Sequence, residues 1–189
     1  MVRVVDVVIT AVLGVAFGVL FSVWNYTGGA AFGVFEAVTP GFGGIITGIW
    51  LLGGVVGGLV VRRPGAALAV EVIAAVVSMV PGNQWGISTV YSGIAQGLGA
   101  ELAFALTLYR RGSMPTAVLA GVLAAVVEFA LELVTSGNLA RTLGYNLTYL
   151  GCMVVSGAVL AGVLGHVLVG ALARTGALDA FPAGRARRV

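Results

Sequence analysis

The residues best suited to chemistry in this 189-residue chain are five glutamates that lie within or beside long apolar runs. A carboxylate near the centre of a bilayer costs roughly 3 kcal/mol even on lenient insertion scales, so unpaired acids there indicate a function. The ten arginines lie almost entirely outside the apolar runs, so no intramembrane cation balances these acids. The pattern predicts a site for a cation. The five are Glu36, Glu71, Glu101, Glu128 and Glu132.

The composition places these residues in a membrane. Hydrophobic residues make up 59% of the chain and charged residues 9%, with a mean hydropathy of +1.08. Soluble domains carry about a quarter charged residues, so we expect an all-α integral membrane protein. Breaking the apolar runs at proline, glycine and arginine predicts a six-transmembrane-helix bundle as a single domain over 1–173, followed by a basic tail over 174–189. The predicted helices are 4–24, 41–61, 65–80, 88–109, 115–135 and 144–173, and the first is expected to stay in the mature protein.

The arginines predict the orientation. If the six helices alternate in direction, nine of the ten arginines fall on one side and Arg141 alone falls on the other. The positive-inside rule then places both termini in the cytoplasm of a multi-pass membrane protein. The loops over 25–40, 81–88 and 135–143 are expected to face outward. These loops contain Asn25, Tyr26, Glu36, Asn83, Gln84, Trp85 and Asn138.

Depth along the helices predicts which acids meet. Glu71 lies ten residues before Pro81, and Glu101 lies ten residues after Tyr91. At 1.5 Å per residue, both carboxylates are expected about 15 Å below the outer boundary. Because a short loop joins these two helices, they should be antiparallel neighbours. We therefore expect Glu71 and Glu101 to flank one cavity capped by Trp85.

Further polar side chains are expected in the outer half of the bundle. Glu128 and Glu132 are spaced i, i+4 and project from one helix face. An alternative is that the acids are protonated and bond to neighbouring helices, that the aromatic residues are interface anchors, and that Glu36 is a solvated loop residue. The predicted substrate-binding set is Glu71, Asn83, Trp85, Tyr91, Gln96, Glu101, Glu128, Glu132, Asn146 and Tyr149.

Several activities are excluded by residue type. The chain contains no lysine, so it cannot form a GxxxxGK phosphate loop and cannot hydrolyse ATP itself. A single cysteine, Cys152, excludes an intrachain disulfide, and with the single histidine, His166, it excludes a His/Cys metal cluster. We expect no enzyme activity and no cofactor. The basic tail predicts contact with the lipid bilayer rather than with nucleic acid.

Three segments together resemble a known family. Arg63-Pro64-Gly65-Ala66-Ala67 with Glu71 shortly after, Gly82-Asn83-Gln84-Trp85-Gly86, and Gln96-Gly97-Leu98-Gly99-Ala100-Glu101 are similar to segments of the YkoE-type S component of energy-coupling-factor (ECF) vitamin transporters. The likeness extends over nearly the whole chain. It implies a substrate-capture subunit in the bacterial plasma membrane that binds thiamine or its hydroxymethylpyrimidine precursor from the outer face.

The same resemblance implies partners. A separate transmembrane coupling (T) subunit and two cytoplasmic ATPase subunits would complete the ABC importer. Small residues on the first helix contact the T subunit in such proteins. The positions that correspond here are Ala11, Gly14, Val15 and Gly18.

Other functions remain open at the level of sequence. Thiamine suits the acids because its thiazolium is cationic and its rings stack on aromatic side chains. A self-contained, proton-coupled carrier for small organic cations would also use intramembrane glutamates, and a membrane-embedded enzyme is a third class. Metal-specific S components carry a histidine directly after the initiator methionine, whereas this chain has Val2. Cobalt and nickel are therefore disfavoured.

Overall fold

The computed structural model describes residues 3–185, and within that range the secondary structure is entirely helical. Two short 3₁₀ helices lie at Phe42–Ile49 and Asn138–Ala140, and a π-helical segment, Gly157–Val163, joins α6 to α7. The α-helices are α1 (Val4–Val38), α2 (Leu52–Val61), α3 (Ala66–Met79), α4 (Ser88–Leu106), α5 (Met114–Thr135), α6 (Leu143–Ser156), α7 (Leu164–Arg174) and α8 (Pro182–Arg185).

Four segments are long and apolar enough to cross a membrane: Val4–Val38, Phe42–Val61, Met114–Thr135 and Leu143–Arg174. Helix α3 is also apolar but shorter. The predicted intervals 65–80, 88–109 and 115–135 correspond to α3, α4 and α5 within three residues at each end. Arginine, proline and glycine between these helices gave clear boundaries.

Helix α1 is much longer than predicted, and the expected outer loop over 25–40 is wrong because the helix continues to Val38. Its 35 residues span about 52 Å, more than the roughly 30 Å hydrocarbon core. Two glycines in this stretch serve packing: the Trp24 ring lies against Gly28, and Gly29 approaches the Gln84 side chain. The helix ends at Thr39, whose extended backbone is the conformation favoured before a proline.

The predicted helix over 41–61 is in fact two elements, the 3₁₀ helix Phe42–Ile49 and then α2. The 3₁₀ helix lies against the backbone of α6, where a Cβ at Gly44 would be 2.7 Å from the Tyr149 carbonyl oxygen. The amide of Gly48 donates to Ser156 Oγ at 2.9 Å. Glycine permits this backbone-to-backbone contact. All ten residues of α2 are buried, so α2 forms the centre of the bundle.

The interval predicted as one helix over 144–173 is continuous, but its middle is π-helical. At this point Gly157 meets Gly121 of α5, with little space for a Cβ on either residue. The register change was not visible in the sequence, because the same apolar pattern suits an α-helix.

The end of the described chain folds back onto the bundle. Leu178 and Phe181 are buried, and the Arg3 guanidinium lies 5.9 Å from the centre of the Phe181 ring. Arg3 also pairs with the buried carboxylate of Asp6 at 2.6 Å, and Arg63 lies 3.7 Å from the same carboxylate. The N-terminus, the α2–α3 turn and the C-terminal segment therefore meet at one end of the molecule. Val2, Arg187 and Arg188 lie outside the described residues.

Candidate functional site: an acidic, aromatic-lined cavity

A cavity of about 480 Å³ opens between α1, α3, α4, α5 and α6. This size lies within the range of small-molecule pockets, roughly 300–1,000 Å³. Six residues of the predicted binding set line it: Glu71, Trp85, Gln96, Glu128, Glu132 and Tyr149. The other four do not line it: Asn83, Tyr91, Glu101 and Asn146.

Glu71 projects from α3 and is 1% exposed. The backbone N–H of Gly54 donates to Glu71 Oε2 at 2.5 Å, and a Cβ at Gly53 would lie 2.8 Å from the same oxygen. The glycine pair at the start of α2 therefore makes room for this carboxylate. Gly97 lets α4 approach closely, since a Cβ there would be 2.9 Å from Leu68 Cα.

The amide of Gln96 links Glu71 to Trp50, which lies between the 3₁₀ helix Phe42–Ile49 and α2. Its orientation is assigned from its hydrogen bonds, with the nitrogen donating to the Trp50 carbonyl oxygen at 3.0 Å and to Glu71 Oε1 at 3.2 Å. Glu71 thus accepts one bond on each oxygen. Both of its donors are neutral, so they orient the carboxylate without cancelling a negative charge.

Glu128 and Glu132 project from α5 into the same cavity, as their spacing predicted. Glu128 interacts with Ser92 and Gln96, and Glu132 interacts with the Tyr149 hydroxyl. Each of the two carboxylates nevertheless has one buried oxygen, Oε2, without a hydrogen-bond partner among the described residues. Buried polar atoms are normally paired, so these oxygens are available to a donor that enters the cavity.

The carboxylates of the cavity have no cationic partner in the part of the chain that the structure describes. Within residues 3–185, the ion pairs closer than 4.0 Å both involve Asp6, which lies near the N-terminus of α1. Three acids that lack an ion-pair partner within 4.0 Å in one cavity favour a cationic guest, because the guest would supply the charge that no arginine of residues 3–185 provides at that distance.

Aromatic rings form the other wall. The rings of Trp50 and Trp85 meet edge to face, with centroids 5.4 Å apart, and Tyr145 stacks on Tyr149 at 5.9 Å. Sequence reasoning placed Trp85 here but missed Trp50 and Asn25. The Trp50 indole nitrogen donates to Asn25 Oδ1 at 2.8 Å. The signal available in the sequence was a lone asparagine in a charge-free helix, where a buried amide needs a partner.

Asn83 shapes the cavity mouth from outside it. Its Oδ1 accepts bonds from the backbone nitrogens of Trp85 and Gly86, each at 2.9 Å, and from Thr89 Oγ1 at 3.1 Å. Tyr26 of α1 donates to the carbonyl of Gly82 at 3.1 Å. These bonds hold the loop that carries Trp85 against the C-terminal half of α1.

The expectation that Glu101 flanks the cavity with Glu71 is wrong. Glu71 lies eight residues before the end of α3 at Met79, whereas Glu101 lies 13 residues after the start of α4 at Ser88. The difference of about five residues corresponds to roughly 7.5 Å of depth. Counting from Pro81 and Tyr91, which are not the helix ends, concealed this offset.

Glu101 instead caps the N-terminus of α3. Its Oε1 accepts from the Gly65 nitrogen at 2.6 Å and its Oε2 from the nitrogens of Ala67 and Leu68 at 3.0 and 3.2 Å. The Tyr109 hydroxyl, beyond the end of α4, donates to Oε1 at 2.8 Å. Burial and the bond to Glu101 raise the pKa of Tyr109 to about 12, so this donor keeps its proton at neutral pH.

The remaining polar candidates lie away from the cavity. Tyr91 is 52% exposed on the outer surface of α4. Asn146 donates to the Asn138 carbonyl oxygen at 2.9 Å and holds the α5–α6 connection in place. Glu36 accepts bonds from the nitrogens of Gly41 and Gly43, each at 3.1 Å, and so stabilises the turn after α1.

The four predicted docking residues do not share one surface. Gly14 and Gly18 are buried against α3, where a Cβ would meet the side chains of Ile73 and Val77. Ala11 and Val15 face outward, and Val15 is 49% exposed. The two glycines therefore serve close packing inside the chain, and only Ala11 and Val15 of the four are on its surface.

Comparisons with known proteins agree with this architecture. The chain superposes on a solved structure entitled "Crystal structure of an S-component of ECF transporter" with a TM-score of 0.92 and 35% identity, covering all of this chain and 94% of the other. The fold is thus that of an S component, the membrane-embedded subunit class of ECF transporters.

The particular family follows from sequence. Over 185 residues, 97% of this chain is 37% identical to a Bacillus subtilis (strain 168) protein named as an HMP/thiamine permease, YkoE, of which 90% is covered. A family model described as "ABC-type cobalt transport system, permease component" matches residues 5–127. The chain belongs to this YkoE family of ECF-transporter S components.

Proposed function

We propose that this protein is the substrate-capture subunit of an ECF-type importer and binds thiamine or its hydroxymethylpyrimidine precursor from the outer face of the membrane. The observation that supports this most directly is the cavity itself, which combines the buried carboxylates of Glu71 and Glu128, the half-buried carboxylate of Glu132 and a wall of aromatic rings, with no ion pair to any of the three acids among residues 3–185. The name given to the Bacillus subtilis relative points to the same pair of ligands.

The chemistry of thiamine matches the two walls. The permanent positive charge of the thiazolium ring suits a position near Glu128 and Glu132, whose free oxygens lack donors. The aminopyrimidine group supplies N–H donors for a carboxylate such as Glu71. Both rings can stack on Trp50 or Trp85. The pyrimidine precursor offers the donors and one ring, so we expect it to bind through the same acids.

The orientation and the partners complete the proposal. Both termini lie in the cytoplasm, with six membrane-spanning segments and the mouth of the cavity on the outer side. Because the chain contains no lysine, the energy must come from separate ATPase subunits joined through a T subunit. The outward face of α1 around Ala11 and Val15 is the proposed contact with the T subunit.

The test separates capture from transport. Purified protein should bind thiamine or the pyrimidine with submicromolar affinity, yet proteoliposomes that contain only this chain should not accumulate either ligand. Adding the T subunit and the ATPases with ATP should start uptake. Concentrative uptake by the chain alone, driven by a proton gradient, would instead show a self-contained carrier.

A further inference from the structure

The mouth of the cavity differs in charge from its floor. Arg141 lines the cavity together with Thr135, Ser136 and Asn138, all from the end of α5 and the segment that follows it. The three glutamates of the floor come from α3 and α5. One cavity therefore has an acidic floor and a basic, hydroxyl-bearing rim.

The charge of Arg141 is held in place but not neutralised. Its guanidinium lies over the Tyr145 ring, 4.8 Å from the centroid, and has no carboxylate within 4.0 Å among residues 3–185. The ring beneath it is supported by Tyr145–Tyr149 stacking, with the ring centroids 5.9 Å apart. A guanidinium stacked on an aromatic face keeps its in-plane N–H groups free to donate.

We infer that this rim is an anion subsite, and that the chain accepts the phosphate monoester of its cationic ligand, with the heterocycle on the glutamate floor and the phosphate on Arg141. The inference rests on the proposed function, since it adds a substituent to the same bound cation. The residues that form the subsite are Arg141 and the hydroxyl of Ser136.

Three physical arguments support it. The planar fork of an arginine matches a phosphate in a bidentate geometry. Carboxylates at the floor repel a phosphate, so the charge distribution admits the ester in one orientation only. Arg141 is also exposed, so a phosphate bound there keeps part of its hydration and avoids most of the desolvation cost.

The experiment measures the affinities of thiamine and thiamine monophosphate for the detergent-purified chain by calorimetry. In the wild type we expect the two affinities to agree within about tenfold. Arg141→Gln should weaken binding of the monophosphate by roughly tenfold or more, and binding of thiamine by less than threefold, because only the ester meets the guanidinium. Arg110→Gln is the matched control, since it removes the same charge from an exposed turn outside the cavity and should change neither value.

A second measurement uses the wild type alone and does not depend on the folding of a variant. Because Arg141 is exposed, raising the salt concentration should weaken the monophosphate more than thiamine. Two results would overturn the anion subsite and leave the proposed function intact. In the first, the wild type binds thiamine normally but binds the monophosphate more than a hundredfold more weakly. In the second, Arg141→Gln loses the same affinity for both ligands. Failure of the wild type to bind thiamine and its precursor would overturn the proposed function itself.

Discussion

Replacing Glu71 by glutamine should separate the binding role of the cavity from its structural role. The carboxylate is 1% exposed and accepts only two bonds, from the Gly54 N–H at 2.5 Å and from Gln96 at 3.2 Å. A glutamine keeps the shape and one acceptor oxygen, so the bond from Gly54 is retained. The substitution removes the negative charge that the ligand is expected to meet.

The two expected effects differ in size. Losing one partner of a desolvated, hydrogen-bonded charge pair costs about 2–5 kcal/mol of binding free energy, which is roughly thirtyfold to several thousandfold in affinity. In the absence of ligand, Glu71→Gln has two opposing effects on stability. It loses one hydrogen bond with Gln96, which costs about 1 kcal/mol, and it removes a buried negative charge, which is stabilising. The free energy of unfolding of the empty protein should therefore change by no more than about 1 kcal/mol.

Glu101→Gln is the matched comparison, because the substitution is the same and the site is different. Its two oxygens accept four donors, so a glutamine leaves two N–H or O–H groups without an acceptor. At about 1–3 kcal/mol for each unsatisfied group, reduced for the exposed ones, the loss of stability should be about 2–4 kcal/mol. Affinity for thiamine should stay within about twofold, since Glu101 lies outside the cavity.

The assay pairs calorimetric titration with thermal unfolding of the empty, detergent-solubilised protein. The assignment of the two acids predicts that Glu71→Gln loses affinity strongly and keeps its stability. It predicts that Glu101→Gln keeps its affinity and loses stability. Normal binding by Glu71→Gln together with a lower unfolding temperature would show that Glu71 is only a structural hydrogen-bonding group. That result would refute the charge argument.

Three further substitutions test the lid, its loop and the packing of α1. Trp85→Phe should remove most of the ligand-induced quench of tryptophan fluorescence; if the quench survives there and disappears in Trp50→Phe, Trp85 is not the main contact. Asn83→Ala removes the acceptor of three hydrogen bonds, so stopped-flow measurements should show slower association with normal unfolding temperature, and an unchanged rate would contradict the role given to this loop. Gly18→Leu should destabilise the empty protein by roughly 1–3 kcal/mol, because a leucine side chain at this position has no space against α3. The control Val15→Leu, on the outward face of α1, should not change stability, and equal unfolding temperatures for the two variants would contradict the packing.

The sequence was most informative where charge and proline interrupt the apolar pattern. The turns at Arg62-Arg63-Pro64 and Arg110-Arg111 with Pro115 gave the ends of α3 and α5 to within one residue, because neither charge nor proline suits a helix interior in lipid. Within the long glycine-rich runs, the same reasoning failed. Glycine was taken as a helix end in α1, although at Gly28 it accommodates Trp24 inside a continuous helix.

The site was partly predictable for a related reason. The spacing of Glu128 and Glu132 fixes their common face whatever the neighbouring helices do, so both were placed in the cavity correctly. The pairing of Glu71 with Glu101 depended on the register between two helices, and an error of a few residues at each end moved one acid by more than a helical turn. Trp50 could not be placed because its direction is set by the 3₁₀ segment before α2, which the apolar pattern does not reveal.

Titration of the purified chain with thiamine and, separately, with Co²⁺ tests the central claim most directly, because the cavity is argued to hold an organic cation. The account predicts saturable binding of thiamine or its pyrimidine precursor at one site per chain, with submicromolar affinity and quenching of tryptophan fluorescence. It predicts no comparable binding of Co²⁺, which cannot stack on the aromatic wall. Saturable Co²⁺ binding that is lost in Glu71→Gln, with no binding of either organic ligand, would contradict it.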